Sequence, residues 1–405
     1  MAKSRNARLR EVNPTGIAAR LGLAAALTIY GAHLAAAQEK VKVGLILTLS
    51  GPAAVLGQQA KNGFELALKD LNGKLGGSDA ELLVADDELK PDVAVTKVKA
   101  LLERDNVQFV VGPIFSNILG AIVNPVTDAN VILISPNAGS SALAGKACHP
   151  NFFVTSYQND QVHQVSGKVA QDRGYKRVYL LAPNYQAGKD AMAGFRRDFK
   201  GEIVDESYVP LNTLDFQSEI ANIASKKPDA VFTFMPGGMG VNLIKQYKQA
   251  GLADRIPVLS SFTVDESTLP AQGDAALGMF AGSNWAPDLD NPQNKKFVSE
   301  YLAAYNAIPA TYAAQAYDAA MLIDSAVKAL GANLSDKNAL QAALRKANFT
   351  SVRGPFKFSR NGYPVQDFYL TKVGKRADGK YETQIVEKIF SDYADPYVSE
   401  CPLGK

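Results

Sequence analysis

Histidine, cysteine and tryptophan are scarce in this chain: three, two and one among 405 residues. His33, His149 and His163 lie far apart, and no Cys/His spacing suits a metal. No Gly-x-Ser-x-Gly elbow or Walker A loop is present, so the common acyl-transfer and nucleotide chemistries lack their residues. Gly237-Gly-Met-Gly240 follows a strand-like run and opens a helix, but the third glycine of a dinucleotide fingerprint is missing. Asp86-Asp87-Glu88 could pass for an acid cluster and is read as a solvated loop. The chain offers binding surface without a catalytic constellation, and neither metal nor cofactor is expected.

A long apolar run is also missing. The one clear run, Leu21–Tyr30, is about half the ~20 residues needed to span a bilayer. Lys3, Arg5, Arg8, Arg10 and Arg20 precede or open it, and Ala35-Ala36-Ala37 follows. That order is a secretory signal peptide over residues 1–37 with a cut after Ala37. The alternative is an uncleaved anchor. The leader takes five of the 43 basic residues and one of the 40 acidic. The remainder, 38 against 39, carries no basic field for nucleic acid or anionic lipid. Both cysteines, Cys148 and Cys401, lie beyond the leader. In an oxidising compartment such a pair reads as one disulfide, tying the C-terminal tail to the end of the first lobe. The alternative is two buried thiols.

What is there is a regular alternation of strand and helix. Val41–Thr48, Glu81–Ala85, Phe109–Gly112 and Val131–Ser135 read as strands. Gln58–Asn72, Asp92–Arg104 and a helix from Ser116 fall between them. A second series follows Phe152–Thr155. Its strands are Arg177–Ala182, Val204–Val209, Asp229–Phe234 and Ile256–Leu259, the last closing the second sheet. Its helices cover 160–173, 191–199, 216–225 and 239–250. Helices over 292–306, 311–330 and 336–348 come next, then a two-strand unit at 365–371 and 383–389. This is α/β architecture with two lobes, and ligands of such sheets sit beyond the carboxyl ends of the strands.

Four stretches carry a family resemblance. They are Gly44–Pro52 with Gly57 and Asn62-Gly63, then Val110–Asn117, Ile134-Ser-Pro136 and Gln315–Ala319. Together they resemble the solute-binding proteins of branched-chain-amino-acid-type ABC importers, in order over nearly the whole chain after the leader. The resemblance implies a type I periplasmic binding fold: two Rossmann-like lobes with parallel sheets, a three-segment hinge, and a ligand enclosed between the lobes. On that plan lobe 1 takes 38–153 and 285–350, lobe 2 takes 154–284 and 351–395, and 396–405 forms a tail. It also implies a periplasmic receptor rather than an enzyme, with a small-molecule ligand and membrane permease subunits as partners. A monomer is expected.

The motifs give that ligand a place. Ser116 and Asn117 follow a strand and start a helix. Their side chains and free N–H groups suit a ligand carboxylate. Alternatively, Ser116 only caps the helix. Asn137, Ala138, Gly139 and Ser140 follow the next strand and offer further N–H groups, and Gly237 joins the candidate contacts. In amino-acid-binding members an acidic residue after the last second-lobe strand pairs with the ligand ammonium, and here Phe262 takes that place. Gly139 replaces a threonine, and Val55-Leu56 stands where an aromatic is common. Tyr185, Phe262 and Trp285 are the expected wall, with Phe115 a further candidate. Phe262–Ser267, Gln366–Leu370 and Ala182–Gly188 are similar to members serving aromatic acids. The expected ligand is a small aromatic carboxylate of benzoate or phenylpropanoid type. The alternatives are an aliphatic amino acid, with Asp265 or Glu266 reaching inward, and a sensing domain that signals without transport.

Overall fold

The computed structural model describes residues 40–331 and 333–404. The leader and the cut after Ala37 lie outside them. The first sheet contains β1 (Val41–Leu47), β2 (Lys74–Leu75), β3 (Ser78–Asp86), β4 (Phe109–Val111), β5 (Ile132–Ser135) and β6 (Phe152–Val154). Their spatial order is β2-β3-β1-β4-β5-β6. All neighbours are parallel except β2 against β3. Strands such as β1 and β5 are near-continuous apolar runs because helices cover both faces of a parallel sheet. Those helices include α1 (Ala54–Asp70), α2 (Pro91–Glu103), α3 (Ser116–Asp128) and the short α4 (Ser141–Ala144).

The second sheet takes β7 (Arg177–Pro183), β8 (Glu202–Val209), β9 (Ala230–Thr233), β10 (Val258–Ser260) and β11 (Phe280–Ser283). It continues through β12 (Lys357–Phe358), β13 (Pro364–Lys375) and β14 (Tyr381–Tyr393). The order is β12-β13-β11-β10-β9-β7-β8, with β14 on β13. Its helices are α5 (Asn159–Asp172), α6 (Gln186–Asp198), α7 (Gln217–Lys226), α8 (Gly238–Gln249) and α9 (Leu269–Gln272). The chain then returns to the first lobe as α10 (Pro292–Tyr305), α11 (Thr311–Leu330) and α12 (Lys337–Lys346), with α11 packed on α1.

Three details differ from the sequence expectation. The sheets are mixed rather than purely parallel: β2 is antiparallel to β3 in the first, and in the second β13 returns antiparallel beside β11 and pairs with β12 and β14. Ile256–Leu259 therefore does not close the second sheet; β11 pairs in parallel with β10 beyond it. The Asp86-Asp87-Glu88 turn is only partly solvated. Asp87 is fully buried and accepts the Thr48 hydroxyl at 2.7 Å, and burial raises its carboxyl. It fastens the loop after β1 to the end of β3.

The chain passes between lobes after β6, after β11 and after α12, and one buried arginine ties these crossings together. Arg353 Nη2 donates to Asp318 Oδ2 at 2.9 Å and to the Thr155 carbonyl at 2.6 Å. Its Nη1 donates to the Ser156 carbonyl at 3.0 Å, and Asn284 Nδ2 donates to that same carbonyl at 3.2 Å. Three chain passages thus share one polar cluster, which orders them against each other.

Candidate ligand-binding site

Each sheet has a point where the strand order reverses: between β1 and β4 in the first lobe, and between β7 and β9 in the second. Loops at such a point diverge and leave a crevice. The two crevices face each other. Leu56 follows β1, Ile114–Ser116 follow β4, and Asn137 and Ala138 follow β5. Opposite them, Tyr185 follows β7, Phe234 and Pro236 follow β9, and Phe262 follows β10. With Tyr157, Asn159, His163, Ala187 and Tyr312 they line a narrow slot between the lobes.

One end of the space is polar. Phe115 is extended and Ser116 is the first residue of α3, so Ser116 is not the cap residue. Its Oγ instead accepts from Asn159 Nδ2 at 3.1 Å across the lobes. The first N–H groups of a helix have no partner within it and carry the positive end of its dipole. Asn137 closes this end: its Nδ2 donates to the Ile114 carbonyl at 2.7 Å, and its Oδ1 accepts the Tyr157 hydroxyl at 3.0 Å.

The rest of the wall is aromatic. Tyr157 stacks on Phe262 with centroids 5.1 Å apart and planes at 20°, and Tyr312 lies 6.0 Å from Phe262. Phe115 lies 6.0 Å from Tyr185, which stacks 6.3 Å from Phe234. Phe262 holds this place with φ +56°, a left-handed conformation rare for an aromatic residue. Burial raises the Tyr157, Tyr185 and Tyr312 phenols, so all three keep their protons. It lowers His163 to about 3, so the imidazole is neutral.

The candidates sort by position. Ser116, Asn137, Ala138, Tyr185 and Phe262 stand on the cleft wall, and so does Phe115. Asn117, Gly139, Ser140, Gly237 and Trp285 are not among its lining residues. Asn117 keeps a buried Oδ1 without a partner among the described residues. Gly139 is a close-approach position: a Cβ there would lie 1.8 Å from the Tyr157 carbonyl oxygen, which rules out a threonine. The Ser140 carbonyl accepts the Tyr363 hydroxyl at 2.8 Å. Gly237 and Gly238 meet the Pro52-Ala53 turn of the first lobe, where Gly238 N–H donates to the Pro52 carbonyl at 3.0 Å. Trp285 is buried away from the cleft, with its indole N–H donated to Asn294 Oδ1 at 2.7 Å.

Tyr157, Asn159, His163, Phe234 and Tyr312 were not anticipated. Tyr157 and Asn159 lie where the first crossing enters α5, while His163 and Tyr312 lie on helices. An aromatic on a helix face carries no local signal that separates cleft from core.

Asp265 and Glu266 sit behind Phe262, beside Trp285, Thr311 and Thr383. Asp265 Oδ1 takes the N–H and hydroxyl of Ser267. Glu266 Oε1 takes the N–H and hydroxyl of Thr383, both at 2.7 Å. Burial raises Asp265 and pushes Glu266 up to about 8. Phe262 lines both this space and the cleft, whereas neither acid lines the cleft.

Two Rossmann-like lobes closed over a slot between their switch points define a ligand-binding protein of the two-lobed periplasmic type. Residues 40–380 match the periplasmic binding protein family, and the chain belongs to it. It is a solute-binding protein of an ABC transporter, a receptor and not an enzyme. The chain is 29% identical over 382 residues to Leu/Ile/Val-binding protein homolog 6 of Brucella melitensis biotype 1, covering 92% of this chain and 97% of that one. A solute-binding protein of an ABC transporter from R. palustris, solved in complex with benzoate, superposes with TM-score 0.84 at 34% identity. It covers 89% of this chain and 99% of its own. Another, from Rhodopseudomonas palustris BisB5 in complex with 3,4-dihydroxybenzoic acid, gives TM-score 0.83 and 32% identity over 88% of this chain and 99% of its own.

Proposed function

We propose that the cleft binds a small aromatic carboxylate of benzoate or phenylpropanoid type and delivers it, by lobe closure, to a membrane permease. One observation carries this reading. Phe115, Tyr157, His163, Tyr185, Phe234, Phe262 and Tyr312 put seven rings on the wall, and no Asp, Glu, Lys or Arg is among its described lining residues. An amino acid would bury an ammonium with no carboxylate beside it, at a cost of several kcal/mol. A ring gains from such a wall, since aromatic pairs add ~0.5–1.5 kcal/mol beyond area burial. The carboxylate goes to the N-terminus of α3, with Ser116, Asn137 and the protonated phenols as donors. Relatives solved with benzoate and with 3,4-dihydroxybenzoic acid support the same class. The leader is removed after Ala37, and the exported protein works as a monomer.

Calorimetric titration of the exported protein with benzoates, cinnamates, leucine, isoleucine and valine tests the reading. Saturable binding of aromatic acids, with the three amino acids inert, is expected. Tight binding of leucine or valine with aromatic acids inert overturns it, and makes Asp265 or Glu266 the ammonium partner.

A further inference from the structure

Among the described lining residues His163 is the one aromatic ring that is neither hydrocarbon nor phenol. It is 2% exposed, and its Nδ1 is buried with no hydrogen-bond partner among the described residues. Its ring neighbours are Phe234 at 4.9 Å, Phe232 at 5.8 Å and Phe262 at 6.1 Å, none of which accepts or donates a conventional hydrogen bond. Buried polar groups in native proteins are paired, so a lone exception on a binding wall marks a missing partner. A neutral imidazole offers one acceptor and one donor.

The choice of partner follows from what else lines the cleft. A second carboxylate would need a cation, and no Lys or Arg is among the described lining residues. An ammonium would need a carboxylate, and none is there either. A hydroxyl is neutral, and it can both give a proton to an imidazole nitrogen and accept one. We propose that His163 is a specificity residue that reads a hydroxyl group on the ligand's aromatic ring, so that the preferred solute is a hydroxylated aromatic acid rather than an unsubstituted one. This rests on the aromatic-carboxylate reading above. His163 lies on α5 in the second lobe, whereas the carboxylate end is built from α3 and the β5 loop in the first. A hydroxylated acid is therefore gripped at its two ends by different lobes, and its binding favours the closed form.

Benzoate and 2-, 3- and 4-hydroxybenzoate, titrated calorimetrically into wild type and into His163→Phe and His163→Gln, test this. Wild type is expected to bind at least one hydroxy isomer about tenfold more tightly than benzoate. His163→Phe should erase that preference, bringing the hydroxy isomers and benzoate to within about threefold of one another, and His163→Gln should restore part of it. Equal wild-type affinity for all four acids, or a preference that survives in His163→Phe, overturns the inference. If His163→Phe fails to fold, the wild-type protein still decides. After the leader only His149 and His163 remain, so ¹⁵N-histidine spectra are simple. The His163 ring nitrogens should shift with the preferred hydroxybenzoate and not with benzoate; identical spectra overturn the proposal. Failure of all four acids to bind overturns the aromatic-acid reading and this inference together. Benzoate binding without a hydroxyl preference overturns this inference alone.

Discussion

Ser141 and Asp190 meet across the cleft: the serine hydroxyl donates to Oδ1 at 2.6 Å and its N–H donates to Oδ2 at 3.2 Å. Ser141 opens α4 in the first lobe and Asp190 lies on α6 in the second. Asn159 Nδ2 and Gln186 Nε2 hold the same carboxylate from its own lobe, each at 2.8 Å. Burial raises the Asp190 carboxyl, while the Ser141 and Asn159 donors favour its charged form. The bonds from Ser141 exist only when the lobes are closed, so they contribute to affinity without touching the ligand. Charge-assisted bonds are worth ~1.5–3 kcal/mol. Asp190→Ala is therefore expected to weaken every ligand by about tenfold or more. Ser141→Ala should move affinity the same way by less. Calorimetry on both variants checks this, and unchanged affinity in both would show that the contact does not bias closure.

The glycine pair at the cleft mouth makes a second expectation. A Cβ on Gly238 would lie 2.9 Å from both the Cβ and the carbonyl oxygen of Pro52. Pro52 belongs to the other lobe, so the clash arises only on closure. Gly238→Val should reduce affinity by an order of magnitude or more while leaving the apparent melting temperature of ligand-free protein within a few degrees. A fall in melting temperature matching the loss of affinity would instead place the damage inside the second lobe.

Glu266 links stability to pH. Its carboxyl is pushed up to about 8 in the folded protein, first by burial, against an ordinary value of 4.5. Between those values the folded state holds a proton that the unfolded state has lost. Stability from this group is therefore full at low pH and declines as pH rises toward 8. Glu266→Gln keeps an acceptor for Thr383 and never ionises. The variant should match wild type near pH 5 and exceed it above pH 8, by up to about 4 kcal/mol. Chemical denaturation at the two pH values measures the difference, and parallel curves at both would refute the assignment.

The C-terminal tail binds both lobes. The Tyr397 hydroxyl donates to Asp160 Oδ2 at 2.8 Å in the second lobe, and Cys401 is disulfide-bonded to Cys148 in the first, with Cα atoms 5.7 Å apart. The bridge spans a sequence separation of 253, for which the chain-entropy account gives ~5 kcal/mol at most. Replacing both cysteines by serine should cost roughly 2–5 kcal/mol. Intact-mass analysis of native exported protein after alkylation should show no labelled thiol, whereas two labels would refute the bridge.

Much of the cleft was legible because it is built at strand ends. Ser116, Asn137, Tyr185 and Phe262 each follow a run that reads as a strand, and a parallel sheet sends such loops to one edge. Trp285 also follows a strand end, β11, yet it turns away to Asn294. No local pattern separates a loop that meets the other lobe from one that packs under it.

The alternation of strand and helix over most of the chain and the even pair of cysteines were legible in the sequence alone. Periodicity, composition and residue chemistry are local properties, and they survive being read one segment at a time. Only the tertiary structure decided that Tyr157, His163 and Tyr312 face the same slot as Phe262, that Gly139 must lack a side chain, and that Asp265 and Glu266 stand behind an aromatic ring. Each of these depends on the distance between segments far apart in the chain. That distance is set by how two lobes pack and close, and no single stretch of residues carries it.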